Sequence, residues 1–251
     1  MPQNPTAAWL AQYEKVKDRL TPSVLYGEIF GQSEAYGQKL HYLDMGEVNF
    51  PTGKIMAFDP VVYPEQMRPY LQSVPPGKYP ITAMVVEIGA DHYRIAAVRV
   101  RLNTHTAAAY YNALRGHEDL NDIKKGEYFG FCVDAGLGTI MDEATFAAYT
   151  AFTEKCLAED GYFNLYDDLF AEELEKNYQA HPAYQNEDGD WVNYRLPDSE
   201  LTVPVFSAGW GDGVYPVYFG YDGNGEVCDV IIEFIPIDEL DDEDDDDDDD
   251  E

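Results

Sequence analysis

Basic residues are scarce in this chain. Sixteen Lys and Arg stand against 48 Asp and Glu in 251 residues, for a formal net charge of −32. Nucleic acid is therefore excluded as a ligand, because phosphate contact needs Lys and Arg. An anionic membrane is disfavoured for the same reason. No apolar run is long enough for a membrane span, and the N-terminus lacks the basic and apolar pattern of a signal peptide. The expected compartment is the cytoplasm. Cysteine is sparse too: Cys132, Cys156 and Cys228 are far apart and none forms a CxxC pair. Neither a zinc site nor a disulfide framework is supported, and all three are expected to be buried structural thiols. The five histidines, His41, His92, His105, His117 and His181, are scattered. A P-loop, a GxSxG elbow and an HExxH helix are all missing. Gly136 and Gly138 follow a strand, but the third glycine of a dinucleotide fingerprint is not there. No cofactor is called for.

The stretch Ser207–Phe234 organises what is present. Gly209, Gly211 and Gly213 form a turn cluster around Trp210 and Asp212. Val214–Phe219 is aromatic and β-branched and suits a strand, with Pro216 placing it at an edge or an irregularity. Asp222-Gly223-Asn224-Gly225 reads as a tight hairpin turn, and Val227–Phe234 as the returning strand. A calcium loop is rejected there: Val227 occupies the position where an EF-hand needs glycine, and Glu233 lies in the strand.

Upstream, Asn4, Pro5 and Thr6 open a helix that carries Trp9, Tyr13, Val16 and Leu20 on one face. Val24–Phe30 is a candidate strand, Gln32–Gln38 a loop, Lys39–Phe50 an irregular strand and Lys54–Phe58 a further strand after the turn at Pro51–Gly53. Gln66–Lys78 is loop, and Tyr79–Ile88 and His92–Leu102 are strands. Arg99 and Arg101 share one face of the latter. They suit an anion or, as is ordinary, acidic neighbours across the strand. Thr106–Arg115 reads as a short helix and Glu127–Val133 as a strand. Asp142 caps a helix over Glu143–Leu157, and a second, acidic-faced helix spans about Tyr162–Ala180. A hairpin turn at Asn186–Asp190 returns as Trp191–Arg195, and Leu201–Phe206 is a short strand. The expected fold is α+β, mostly antiparallel β as a bent sheet or sandwich, with three to four helices packed on it. Residues 1–237 form one domain. Thirteen of the fourteen residues in 238–251 are acidic, which predicts a disordered acidic tail. With those thirteen charges set aside, the body still carries −19 of the −32.

Four segments, in order, resemble the bacterial family of domains of unknown function numbered 4241. They are Gly53–Pro60, Pro76–Pro80, Val133–Gly138 and Gly209–Pro216. The resemblance covers about Gly53 to Phe234 and implies kinship and a bacterial origin, but no mechanism.

The candidate site residues are Asp59, Asp134, Asp142, Trp210, Asp212 and Tyr215, which lie at strand ends and glycine turns. Three such aspartates brought together would bind a divalent cation or provide a general acid and base. Aspartate also occupies turns and caps simply because its carboxylate bonds local N–H groups. Two functions follow. The first is non-catalytic binding to a basic protein surface, as an immunity or antitoxin-like factor covering a toxin would do. The alternative is a metal-dependent hydrolase built on the turn aspartates.

Overall fold

A computed structural model describes residues 5–63 and 67–240. Four α-helices and twelve strands are present among the described residues. In chain order they are α1 (Ala7–Val16), α2 (Tyr26–Ile29), β1 (Glu34–Ala35), β2 (Gln38–Phe50), β3 (Ile55–Phe58), β4 (Gly77–Gly89), β5 (His92–Arg101), β6 (Ala109–Asn112), β7 (Gly130–Val133), β8 (Leu137–Asp142), α3 (Glu143–Glu159), α4 (Ala171–Ala180), β9 (Trp191–Arg195), β10 (Thr202–Ser207), β11 (Gly213–Tyr221) and β12 (Val227–Glu233).

The strands form two antiparallel sheets. The larger is a curled, half-barrel sheet in the order β1-β2-β4-β5-β12-β11-β6, with β7 also paired to β11. The smaller runs β3-β8-β10-β9. Period-two alternation explains how they stack. In β3, Ile55 and Ala57 join the core shared with the large sheet, while Met56 and Phe58 face the other way. In β8, Ile140 and Met141 divide in the same manner. The outward set packs against Tyr149 of α3 and Leu174 of α4. The small sheet is thus buried on both faces, between the large sheet and two helices. The α+β, mostly antiparallel expectation is met.

Several local expectations fail, each for a tertiary reason. Val24–Phe30 is not a strand. It contains the single helical turn α2, whose Tyr26 and Ile29 point into the core. Gln32–Gln38 is not plain loop: Tyr36 and Gly37, both at positive φ, make a tight turn that pairs β1 with β2. Thr106–Arg115 is not a helix. Its alanines suit one, but the edge of β11 is open to pairing and captures Ala109–Asn112. The segment after Val133, to which the sequence assigns no element before Asp142, contains the fully buried strand β8. Gly138 lies there because an added Cβ would fall 2.9 Å from the Phe206 ring. Helix α4 starts late, after a π-helical turn at Tyr166–Phe170. The turn at Asn186–Asp190 joins α4 to β9, and β9 pairs with β10 rather than with anything before it. Helix α1 begins where expected, but its cap is Thr6, and Pro5 precedes the cap instead of lying in the first turn. Its Val16 and the following Leu20 meet Leu114, Leu120 and Ile123 in a small separate core.

The organising hairpin is β11–β12. Val217–Tyr221 pair with β12, whereas Gly213–Pro216 pair only with β7. Pro216 therefore sits where β12 has peeled away, as its missing N–H requires. Beyond β12, Ser23 donates to the Asp238 carboxylate (2.7 Å) and Gln38 to the Leu240 carbonyl (3.2 Å). Residues 241–251, the rest of the expected acidic tail, lie outside the described residues.

Candidate functional site

The turn aspartates are joints of the fold. Asp59 follows β3 and is fully buried. One carboxylate oxygen accepts from the Val61 and Val62 amides (2.8 and 3.1 Å), the other from those of Asp134 and Ala135 (2.9 and 2.7 Å). Four backbone donors leave this carboxylate no room for a ligand. Asp142, also fully buried, caps α3 through the Ala144 amide (2.9 Å) and accepts from the Thr52 and Gly53 amides (3.0 and 2.8 Å). Asp212 accepts from the Gly136 amide at 3.1 Å. The 134–136 loop thus ties together Asp59, Asp134 and Asp212, through backbone N–H groups. Asp142 stands apart at the other end of β8. Among the described residues these carboxylates form no metal-sized cluster.

Trp210 and Tyr215 share the glycine loop with Asp212. The Tyr215 hydroxyl lies 2.8 Å from the Gly211 carbonyl and 3.1 Å from that of Ala208, and so closes the loop. Trp210 is 57% exposed, with the Arg94 guanidinium 5.8 Å from its ring centre. The arginine pair of β5 divides. Arg99 lies 4.1 Å above the Phe30 ring, while Arg101 bonds the Asn103 and Thr104 carbonyls. Neither forms an ion pair among the described residues, so the expected cross-strand salt bridges are absent. The cysteines also differ from expectation: Cys228 is buried, Cys156 is half-buried and Cys132 is exposed.

Among the described residues, one group of metal-ligating side chains does form, at the tip of β11–β12. His105, Asp222 and Glu226 place one donor atom each within 4.8 Å of one another. The His105 Nδ1 is 2.7 Å from an Asp222 oxygen and 4.0 Å from a Glu226 oxygen. The hairpin turn brings Asp222 and Glu226 together. His105 arrives on the β5–β6 loop, which is fastened to the hairpin. Leu102 donates to the Cys228 carbonyl (2.9 Å), Ala108 to that of Tyr221 (2.8 Å), and Asn103 to that of Val227 (3.3 Å). The other Asp222 oxygen accepts from the Asn224 and Glu226 amides at 2.8 and 2.9 Å. Those amides, with His105, hold its carboxyl down at about 2. The hairpin excludes an EF-hand, as its sequence indicates. Nothing local in the sequence points to His105, which is 117 positions from Asp222.

A second feature lies where β11 and β12 separate. A cavity of about 580 Å³ opens between Pro216 and Glu233. Glu233 is only 7% exposed, and one of its oxygens accepts from the Tyr26 hydroxyl at 2.5 Å. Burial pushes its carboxyl up to about 7 despite that bond, and Asp238 and Glu239 push in the same direction.

Fold and site together define a class: an α+β protein on a curled antiparallel sheet, with carboxylates locking its turns and a histidine–carboxylate cluster at a hairpin tip. The chain belongs to the family described as protein of unknown function, DUF4241, whose model matches residues 48–232. Neither the comparison with curated proteins nor that with solved structures gives a match. The segments that carry the family resemblance have structural explanations. Gly53 lets the Val74 carbonyl approach to where a Cβ would stand 1.9 Å away, Asp59 pins two loops, and the Tyr79 hydroxyl closes on the Pro75 carbonyl at 2.6 Å. No described helix is long and apolar enough to cross a membrane.

Proposed function

We propose that this protein is a divalent-cation-dependent hydrolase whose metal is held by His105, Asp222 and Glu226. The convergence of these three donors on one point carries the reading. Two carboxylates and an imidazole suit Mn²⁺ or Zn²⁺. Three protein ligands leave coordination positions open to water, and a metal-bound water is a nucleophile at neutral pH. The cation replaces the His105–Asp222 hydrogen bond, and the clamped loop keeps both donors in reach. The turn aspartates are not part of the site, since backbone amides occupy Asp59 and Asp142.

The test is a thermal melt with Mn²⁺, Zn²⁺ or EDTA, comparing the natural chain with Asp222→Asn. Asparagine keeps an oxygen for the two turn amides but replaces the oxygen that faces His105. A rise of about 3 °C or more at micromolar metal, lost in the variant, is expected. An equal rise in both chains assigns the cation to the other carboxylates. No rise in either leaves the cluster as a turn cap.

A second reading is supported by the exposed apolar residues of the β7–β11 side. Trp210, Val214 and Tyr128 are all exposed, and the Tyr128 hydroxyl bonds the Val214 carbonyl (3.2 Å). Aromatic anchors on an acidic body suit non-catalytic binding in the cytoplasm to a basic, toxin-like protein. A basic protein that co-purifies at about 50 mM salt, and is lost at about 300 mM or with Trp210→Ala, would support this reading. Retention by the variant would remove this surface.

A further inference from the structure

The cavity between β11 and β12 is independent of the hairpin-tip cluster. Four aromatic residues line it, Tyr128, Tyr215, Tyr218 and Phe234, together with the carboxyl groups of Glu233 and Glu239. Its volume of about 580 Å³ is that of a small-molecule site.

Glu233 decides the chemistry of the ligand. It is more than nine-tenths buried and belongs to a strand whose neighbours are core residues. One oxygen is taken by Tyr26. The other has no hydrogen-bond partner among the described residues, and the residue lines the cavity. A carboxyl in so buried a setting is costly to ionise unless a cation pairs with it. Its charge reaches the Tyr218 and Tyr128 hydroxyls, raising both above the ordinary phenol value after burial has done the same. Every acid near this floor adds negative potential. Among the described residues, the one basic lining residue, Lys125, is exposed at the rim.

We infer that this cavity binds a small organic cation, a primary amine or guanidine on an apolar body. Its charge pairs with the free Glu233 oxygen, and its body lies against the tyrosine and phenylalanine rings. Ring faces attract cations as well as apolar groups, so both halves of such a ligand are matched. Binding ionises Glu233 and releases a proton near neutral pH. Among the described residues, the titratable and charged groups facing that carboxyl are Tyr26 of α2, Tyr218 of β11, Tyr128 and Lys125 of the loop before β7, and Asp238 and Glu239 beyond β12. None of the tyrosines titrates near pH 7.

The probes are phenethylamine and agmatine, with phenethyl alcohol as the uncharged counterpart of the first, titrated calorimetrically into the full chain. Either amine is expected to bind at least about tenfold more tightly than the alcohol, and to release protons on binding at pH 7. Glu233→Gln keeps an acceptor for Tyr26 and should weaken amine binding by about tenfold or more, leaving the alcohol unchanged. Lys125→Ala, a surface change that does not threaten folding, should tighten amine binding by a few-fold through loss of a like charge. Equal binding of amine and alcohol would overturn the inference. So would amine binding that is insensitive to both substitutions, or no amine binding at about 10 mM.

Discussion

Replacing Glu233 by glutamine should stabilise the protein, and more so at alkaline than at acid pH. In the folded chain the carboxyl titrates at about 7, against the usual 4.5. Below pH 4.5 both states hold the proton, and the group costs nothing. Between about 4.5 and 7 the unfolded chain has lost its proton while the folded chain keeps it. The folded state then binds more protons, so stability falls as pH rises. Above pH 7 the cost is complete, at about 3 kcal/mol for a shift of this size. Glutamine cannot ionise, still accepts from Tyr26 and fits the same space. The assay is urea denaturation of both chains at about pH 5 and pH 8, analysed as a double difference that cancels the other acids. The advantage of the variant should grow by about 2–3 kcal/mol between the two. An advantage independent of pH would mean that Glu233 is ionised at ordinary pH, and the buried-acid reasoning would fail.

Other consequences are as direct. Asp59→Asn turns an oxygen that accepts two amides into a donor, so denaturant unfolding should show a loss of about 2–4 kcal/mol. Gly53→Ala places a Cβ 1.9 Å from the Val74 carbonyl at a φ of +74°. It should cost about 2 kcal/mol or more by the same measurement, and a neutral result would refute the close approach. In a thiol-reagent time course at pH 8, Cys132 should react at once. Cys228, buried and pushed up to about 11, should react only on unfolding. Fast modification of both would contradict the buried β12 thiol.

Local chemistry carried much of the fold. Proline, glycine and asparagine at turns, and runs of β-branched and aromatic residues, located β2, β4, β5, β11 and β12. The Asn4–Thr6 segment and Asp142 marked helix starts because capping is a contact between near neighbours. The same logic foresaw that turn aspartates bind local N–H groups, though not that Asp59 reaches across 75 positions to Asp134. The misses share a cause. Ala109–Asn112 reads as helix in isolation and becomes a strand because β11 offers an edge. Gly138 reads only as part of an incomplete dinucleotide fingerprint and is instead the thin point of a buried strand beneath Phe206.

Composition, charge, turns, caps and the two-residue alternation of each strand were thus decided within short windows of sequence. They set the fold class before any packing is considered. Sheet order, the partners of β6 and β9, the meeting of His105 with Asp222 and the cavity beside the buried Glu233 were decided only in three dimensions. Each depends on contacts between residues far apart in the chain, and no local preference encodes which distant edge or loop will be the neighbour.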